Sequence, residues 1–200
     1  MEVSKVATPQ PVEAVAQALS SAWARRFGEP APATVLALLL GLADLETNTF
    51  GTVNGKGFYN YNLGNIVAPY PDTQVWFAAL DSGNPRKFRA WNSLDAGAEG
   101  FVKQLTSDTR KEWHAGLLTG DPEKFVRALN GQNGGPHYFE ANFDQYLAGY
   151  KARWGRYAGH GMPAPEGTTL PKAEPPKGGP SLTKVAAWGV GLWLLARLVA

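Results

Sequence analysis

Glu46 stands where an apolar run meets a polar loop, and no other carboxylate follows it until Asp72. The run ahead of it, Val35 to Leu42, contains no polar side chain, so a carboxyl at its end is partly desolvated and its pKa rises. A carboxyl of that kind can donate a proton near neutrality, which is general acid chemistry. The loop after it carries Asn48, Asn54, Tyr59, Asn60, Tyr61, Asn62 and Asn65, a stock of amide and phenol groups suited to hydroxyl-rich ligands such as sugars.

The other candidate chemistries are weaker. His114, His137 and His160 show no paired metal-ligand spacing and the chain has no Cys, so neither a metal site nor a cofactor is expected. Gly55-Lys56-Gly57 is too short for a phosphate loop and follows no clear strand. Residues 1–157 hold fifteen basic and fifteen acidic side chains, a balance that argues against nucleic acid as a partner. Trp91, Trp113 and Trp154 are candidate sugar platforms, though aromatic residues at helical spacing more often serve the core.

The elements that must position Glu46 are mainly helical. Val12, Val15, Ala16, Leu19 and Trp23 recur at helical steps and predict a first helix ending near Gly28. Pro30 and Pro32 break the chain, and the second helix runs to Glu46. From 51 to 92, Gly, Asn and Pro separate short runs such as TQVWFAAL and KFRAW, which read as a small irregular β lobe. Helices then return at SLDAGAEGFVKQL with Ser93 as cap, at TRKEWHAGLL, at DPEKFVRALN with Asp121 as cap and Pro122 at its first position, and at YFEANFDQYLAGYKARW. The expected domain is 1–157.

The segment 158–181 is dominated by Pro, Gly and small polar residues and reads as a linker. Residues 182–200 are charged only at Lys184 and Arg197, and nearly match the roughly 20 residues that cross a bilayer core. A C-terminal transmembrane helix is the first reading; an interfacial or partner-binding helix and a helix packed on the domain are the others. The start of the chain lacks the apolar region of a secretory signal, so export by that route is not expected.

Four short segments, in order, resemble the bacterial and phage N-acetylglucosaminidases of the flagellar and autolysin type. They are LADLETNTFG from Leu42, NLGNI from Asn62, FRAWNSLDAGAEGFVKQL from Phe88, and GPHYFEANF from Gly135. The resemblance implies a lysozyme-like α+β fold and cleavage of the glycan strands of peptidoglycan. It implies Glu46 as the catalytic acid and Tyr138 as the active-site tyrosine, with Asn48, Tyr61, Asn62, Asn65, Gln74 and His137 toward substrate. The family's second acid corresponds to TQVWF, where Gln74 stands and no carboxylate does; Asp72 and Asp81 flank it. A single acid is compatible with substrate assistance by the acetamido oxygen or with lytic transglycosylation; a catalytically inactive glycan-binding virion protein is the reading from another class. With the apolar tail, the expected setting is a phage virion protein contacting other virion proteins and a membrane, or a bacterial tail-anchored enzyme facing the periplasm.

Overall fold

Helix α2, Ala33–Thr47, runs through the core of the described residues because the sequence gives it apolar residues on almost every face. Leu38, Leu39, Leu40 and Leu42 are fully buried, and each such side chain contributes about 1.5–3 kcal/mol relative to exposure. Helix α1, Val12–Phe27, has one buried stripe and stops at Gly28, whose left-handed φ of 84° lets its N–H close back on the Ala24 carbonyl. The computed structural model describes residues 1–53, 56–67, 75–81, 84–131, 137–139 and 141–159.

Among the described residues, two short antiparallel pairs make the β lobe. Thr52–Val53 (β1) pairs with Lys56–Gly57 (β2), and Trp76–Asp81 (β3) pairs with Asn84–Arg89 (β4) in the register Trp76 to Arg89. Helix α3, Leu94–Leu105, starts where Ser93 Oγ accepts from the Ala96 amide at 3.2 Å. A 3-10 turn, Asp108–Arg110, leads into α4, Lys111–Leu118. Helix α5, Pro122–Leu129, carries the expected Asp121 cap, which accepts from Glu123 and Lys124. The last described helix, α6, is Phe143–Trp154.

Helix α6 is shorter than its sequence suggested. Its N-cap is Asn142, whose Oδ1 accepts from Asp144 and Gln145, so Tyr138 and Phe139 lie ahead of the helix. Helix α6 packs on α2, and the Tyr150 hydroxyl donates to the Leu38 carbonyl at 2.9 Å.

The first ten residues are threaded through the loop scaffold, which the sequence did not announce. Main-chain bonds run from Val3 to Trp76, from Thr8 to Phe58, from Asn60 to Val6 and from Gln10 to Phe50. The Asn60 side chain completes the seam, accepting from Val6 N at 2.9 Å and donating to Ser4 O at 3.0 Å.

The described residues belong to the first of two units, Met1–Ala164. The linker beyond Gly159, the apolar segment 182–200, Asp72 and Gln74 lie outside the described residues. Among the described residues no helix is long and apolar enough to cross a membrane.

Candidate active site

Glu46 is the penultimate residue of α2, which carries its half-buried carboxyl to the edge of the core. Tyr146, on the first turn of α6, donates its hydroxyl to Glu46 Oε1 at 2.9 Å. Asn65 Nδ2 lies 3.2 Å from Oε2 and 2.7 Å from the Glu46 main-chain oxygen, so one amide clamps both the side chain and the helix end. Burial raises the Glu46 pKa above 4.5, while the bonds from Tyr146 and Asn65 pull in the opposite direction. Burial prevails, and a carboxyl that keeps its proton above the ordinary range is the form a general acid needs.

Two tyrosines surround this carboxyl. Tyr138 donates its hydroxyl to the Gly64 carbonyl at 2.8 Å, and burial together with the Glu46 charge holds its pKa well above the usual phenol value. Tyr146 is shifted the same way, by burial first and then by Glu46. Both hydroxyls therefore remain hydrogen-bond donors at any working pH. Phe139 stacks on Tyr146 with ring centres 3.7 Å apart, and Trp113 meets Tyr138 edge-on at 5.5 Å. The hydroxyl that touches Glu46 belongs to Tyr146, a residue that the sequence analysis did not single out.

Gly64 explains the NLGN segment. A Cβ there would lie 2.7 Å from the Phe101 ring and 2.8 Å from the Tyr138 hydroxyl, so only glycine lets the loop sit between α3 and Tyr138. Gly97 plays the same part on α3, where a Cβ would collide with the Tyr61 carbonyl.

The expected sugar-binding residues divide sharply. Asn65 is exposed beside Glu46, and His137 is exposed on the wall of a cleft of about 370 Å³ whose lining includes Asn65 and Tyr138. Asn62 is turned to another use. It is 2% exposed, donates to Ile66 O and Arg89 O, and accepts from Ile66 N, so its amide brackets the loop to β4 and is not offered to a ligand. Tyr61 is half-buried, its ring edge-on to Phe58. Asn48 is exposed and caps α2 at a left-handed φ of 52°. Asp81 ends β3 opposite Asn84, at the tip of the hairpin.

Asp44 is the charged residue that the sequence reading passed over. It is fully buried two residues before Glu46 and accepts from Tyr157 at 2.6 Å, Thr49 at 3.0 Å and Arg156 at 3.2 Å, with Arg153 paired at 3.3 Å. A carboxylate so enclosed is structural. It holds Asn48, Thr49 and Phe50 in three successive left-handed conformations, φ 52°, 60° and 55°, which the chain would otherwise avoid.

No protein-family model matches the sequence, and no curated protein matches it either. Among solved structures, a peptidoglycan hydrolase from Sphingomonas sp. A1 superposes with a TM-score of 0.51 at 22% identity, covering 74% of this chain and 94% of that one. This chain shares that hydrolase's fold. The glycoside hydrolase domain of Salmonella typhimurium FlgJ gives a TM-score of 0.46 at 19% identity over 74% of this chain and 88% of that one.

Proposed function

We propose that the chain cleaves the β-1,4 glycan backbone of peptidoglycan, with Glu46 as general acid. The observation that carries the reading is the Glu46 carboxyl itself, raised in pKa by burial and clamped by Tyr146 and Asn65. It protonates the glycosidic oxygen as the bond to the anomeric carbon breaks. Tyr138, and in this reading Tyr146 as well, hold the carboxyl and the developing oxocarbenium ion in register. Water attacks the anomeric carbon, assisted by the substrate's acetamido oxygen or by a second carboxylate, for which Asp72 and Asp81 are the candidates. The likeness to the Sphingomonas hydrolase supports a fold suited to this work.

A zymogram of the full chain in a peptidoglycan gel, followed by mass spectrometry of the released fragments, tests the reading. Reducing ends support hydrolysis; 1,6-anhydro ends assign lytic transglycosylation by the single acid instead. Binding to sacculi with neither product returns the chain to a glycan-binding virion module.

The proposed setting is a virion or a bacterial envelope, with residues 182–200 as membrane anchor. Its support is the composition of that segment. The full chain is expected to float with liposomes and Leu194→Glu to float less, since a charge at mid-span is costly. Equal flotation of the two would remove the anchor.

A further inference from the structure

Strand β4 ends on Arg89 and the 3-10 turn ends on Arg110, and both residues line the cleft of about 370 Å³ beside Asn65 and Tyr138. Among the described residues lining that cleft none is Asp or Glu. Burial, together with the charge of Arg89, holds the Arg110 guanidinium below its ordinary pKa, as expected of two like charges in one recess. Arg110 is fixed in this posture. Its guanidinium carbon lies 5.0 Å from the centre of the Trp113 ring, and Nη1 lies 3.5 Å from Ser107 Oγ. Its Nε is buried without a hydrogen-bond partner, and a native protein rarely leaves a charged donor in that condition unless something else fills the need.

We infer that Arg89 and Arg110 form an anion subsite that holds a carboxylate carried by the glycan strand, next to the bond that Glu46 protonates. The inference rests on the glycan reading above and adds what that reading lacks, a basis for choosing among glycans. The guanidinium fork matches a carboxylate in shape and charge. Asn65 lines the same cleft and also donates to Glu46, so the subsite adjoins the acid. In peptidoglycan every second sugar bears a lactyl ether, either free as a carboxylate or joined to a stem peptide with carboxylates of its own. Chitin bears neither. The subsite therefore distinguishes a muramic strand from a neutral amino-sugar polymer.

The full chain carrying Glu46→Gln, which stops turnover, is titrated calorimetrically with three tetrasaccharides. They are a chitin oligomer, a muramic strand with free lactyl carboxylates, and the same strand with stem peptides. A carboxylated strand should bind about tenfold or more tightly than the chitin oligomer, in keeping with charge-assisted bidentate pairing. Arg110→Gln or Arg89→Gln should remove most of that preference, and Arg110→Lys should restore part of it. A preference for the free lactyl strand assigns the lactyl carboxylate, and a preference confined to the peptide-bearing strand assigns a stem carboxylate. Absence of any preference, its survival in both Gln variants, or an equal loss of affinity for all three ligands overturns the subsite. Should a Gln variant not fold, salt decides: the preference must shrink as sodium chloride rises, and a salt-independent preference overturns it equally. Reducing-end release by the unsubstituted chain is scored apart, so charge-selective binding without release removes the hydrolase reading and leaves the subsite standing.

Discussion

The Tyr146 hydroxyl lies 2.9 Å from Glu46 Oε1, joining the first turn of α6 to the end of α2 across 100 residues of sequence. That bond lowers the Glu46 pKa against the larger effect of burial. Tyr146→Phe removes the donor and keeps the ring on Phe139. The alkaline limb of the pH–rate profile should therefore move to higher pH, because the acid must be protonated to act and its proton is then held more firmly. A limb that stays in place in sacculus-lysis assays would show that Tyr146 only packs.

Glu46→Gln should reduce lysis by on the order of 10² to 10⁴, the usual contribution of a general acid. Its effect on stability has a definite sign. A carboxyl whose folded pKa is raised contributes stability below its ordinary value of 4.5 and loses that contribution as pH rises through the raised value. The amide carries no such penalty, so the Tm of Glu46→Gln relative to the parent should be higher at pH 7 than at pH 4. Calorimetry that finds a difference independent of pH would contradict the buried carboxyl.

Asp44→Asn should unfold the protein earlier without direct chemical consequence. Loss of one partner from a buried ion cluster costs about 3 kcal/mol, with Arg153 and Arg156 partly relieved by hydration. For a domain of this size that is roughly a 6–12 °C fall in Tm. A Tm within a degree of the parent would mean that the left-handed turn after α2 is held by something else.

Gly64→Ala and Tyr138→Phe act on one contact from its two sides. The added methyl must displace the Tyr138 hydroxyl or the Phe101 ring, whereas the Phe variant simply leaves the Gly64 carbonyl without its donor, a loss of about 1 kcal/mol. Turnover on purified sacculi should fall in both, with glycan affinity less affected in Tyr138→Phe. Unchanged turnover in Tyr138→Phe would return that residue to packing alone.

The helices were legible because their signals are local: Ser93, Asp121 and Pro122 sit where caps and first-turn residues belong, and α2 is apolar on nearly every face. The place of Glu46 at the end of α2 was legible for a related reason, since the apolar run from Val35 to Leu42 marks the helix that carries it. Tyr146 was not, because a tyrosine four residues ahead of buried Tyr150 looks like another core position until α6 is docked on α2. Asp44 had a signal that went unread. It falls four residues after buried Leu40 on the same helical face, and Arg153 at the end of the last helix and Arg156 just past it supply the opposite charge. The Asn-rich loop misled in part: Asn60 and Asn62 are buried brackets, and only folding separates them from exposed Asn65.

The N-terminal thread has a consequence for how the molecule opens. Its bonds to Phe58, Asn60 and Trp76 join residues fifty or more positions apart and rest on loops and the first residue of β3, whereas the leucines of α2 rest on helix against helix. Contacts of that kind form late and break first. Hydrogen exchange should accordingly find the amides of Val3, Thr8 and Asn60 opening far more often than those of Leu39 or Leu42. A state with an intact helical centre and an undone Asn65 clamp would still pass as folded by helical circular dichroism while having no acid in place, so preparations are best judged by the exchange of the thread.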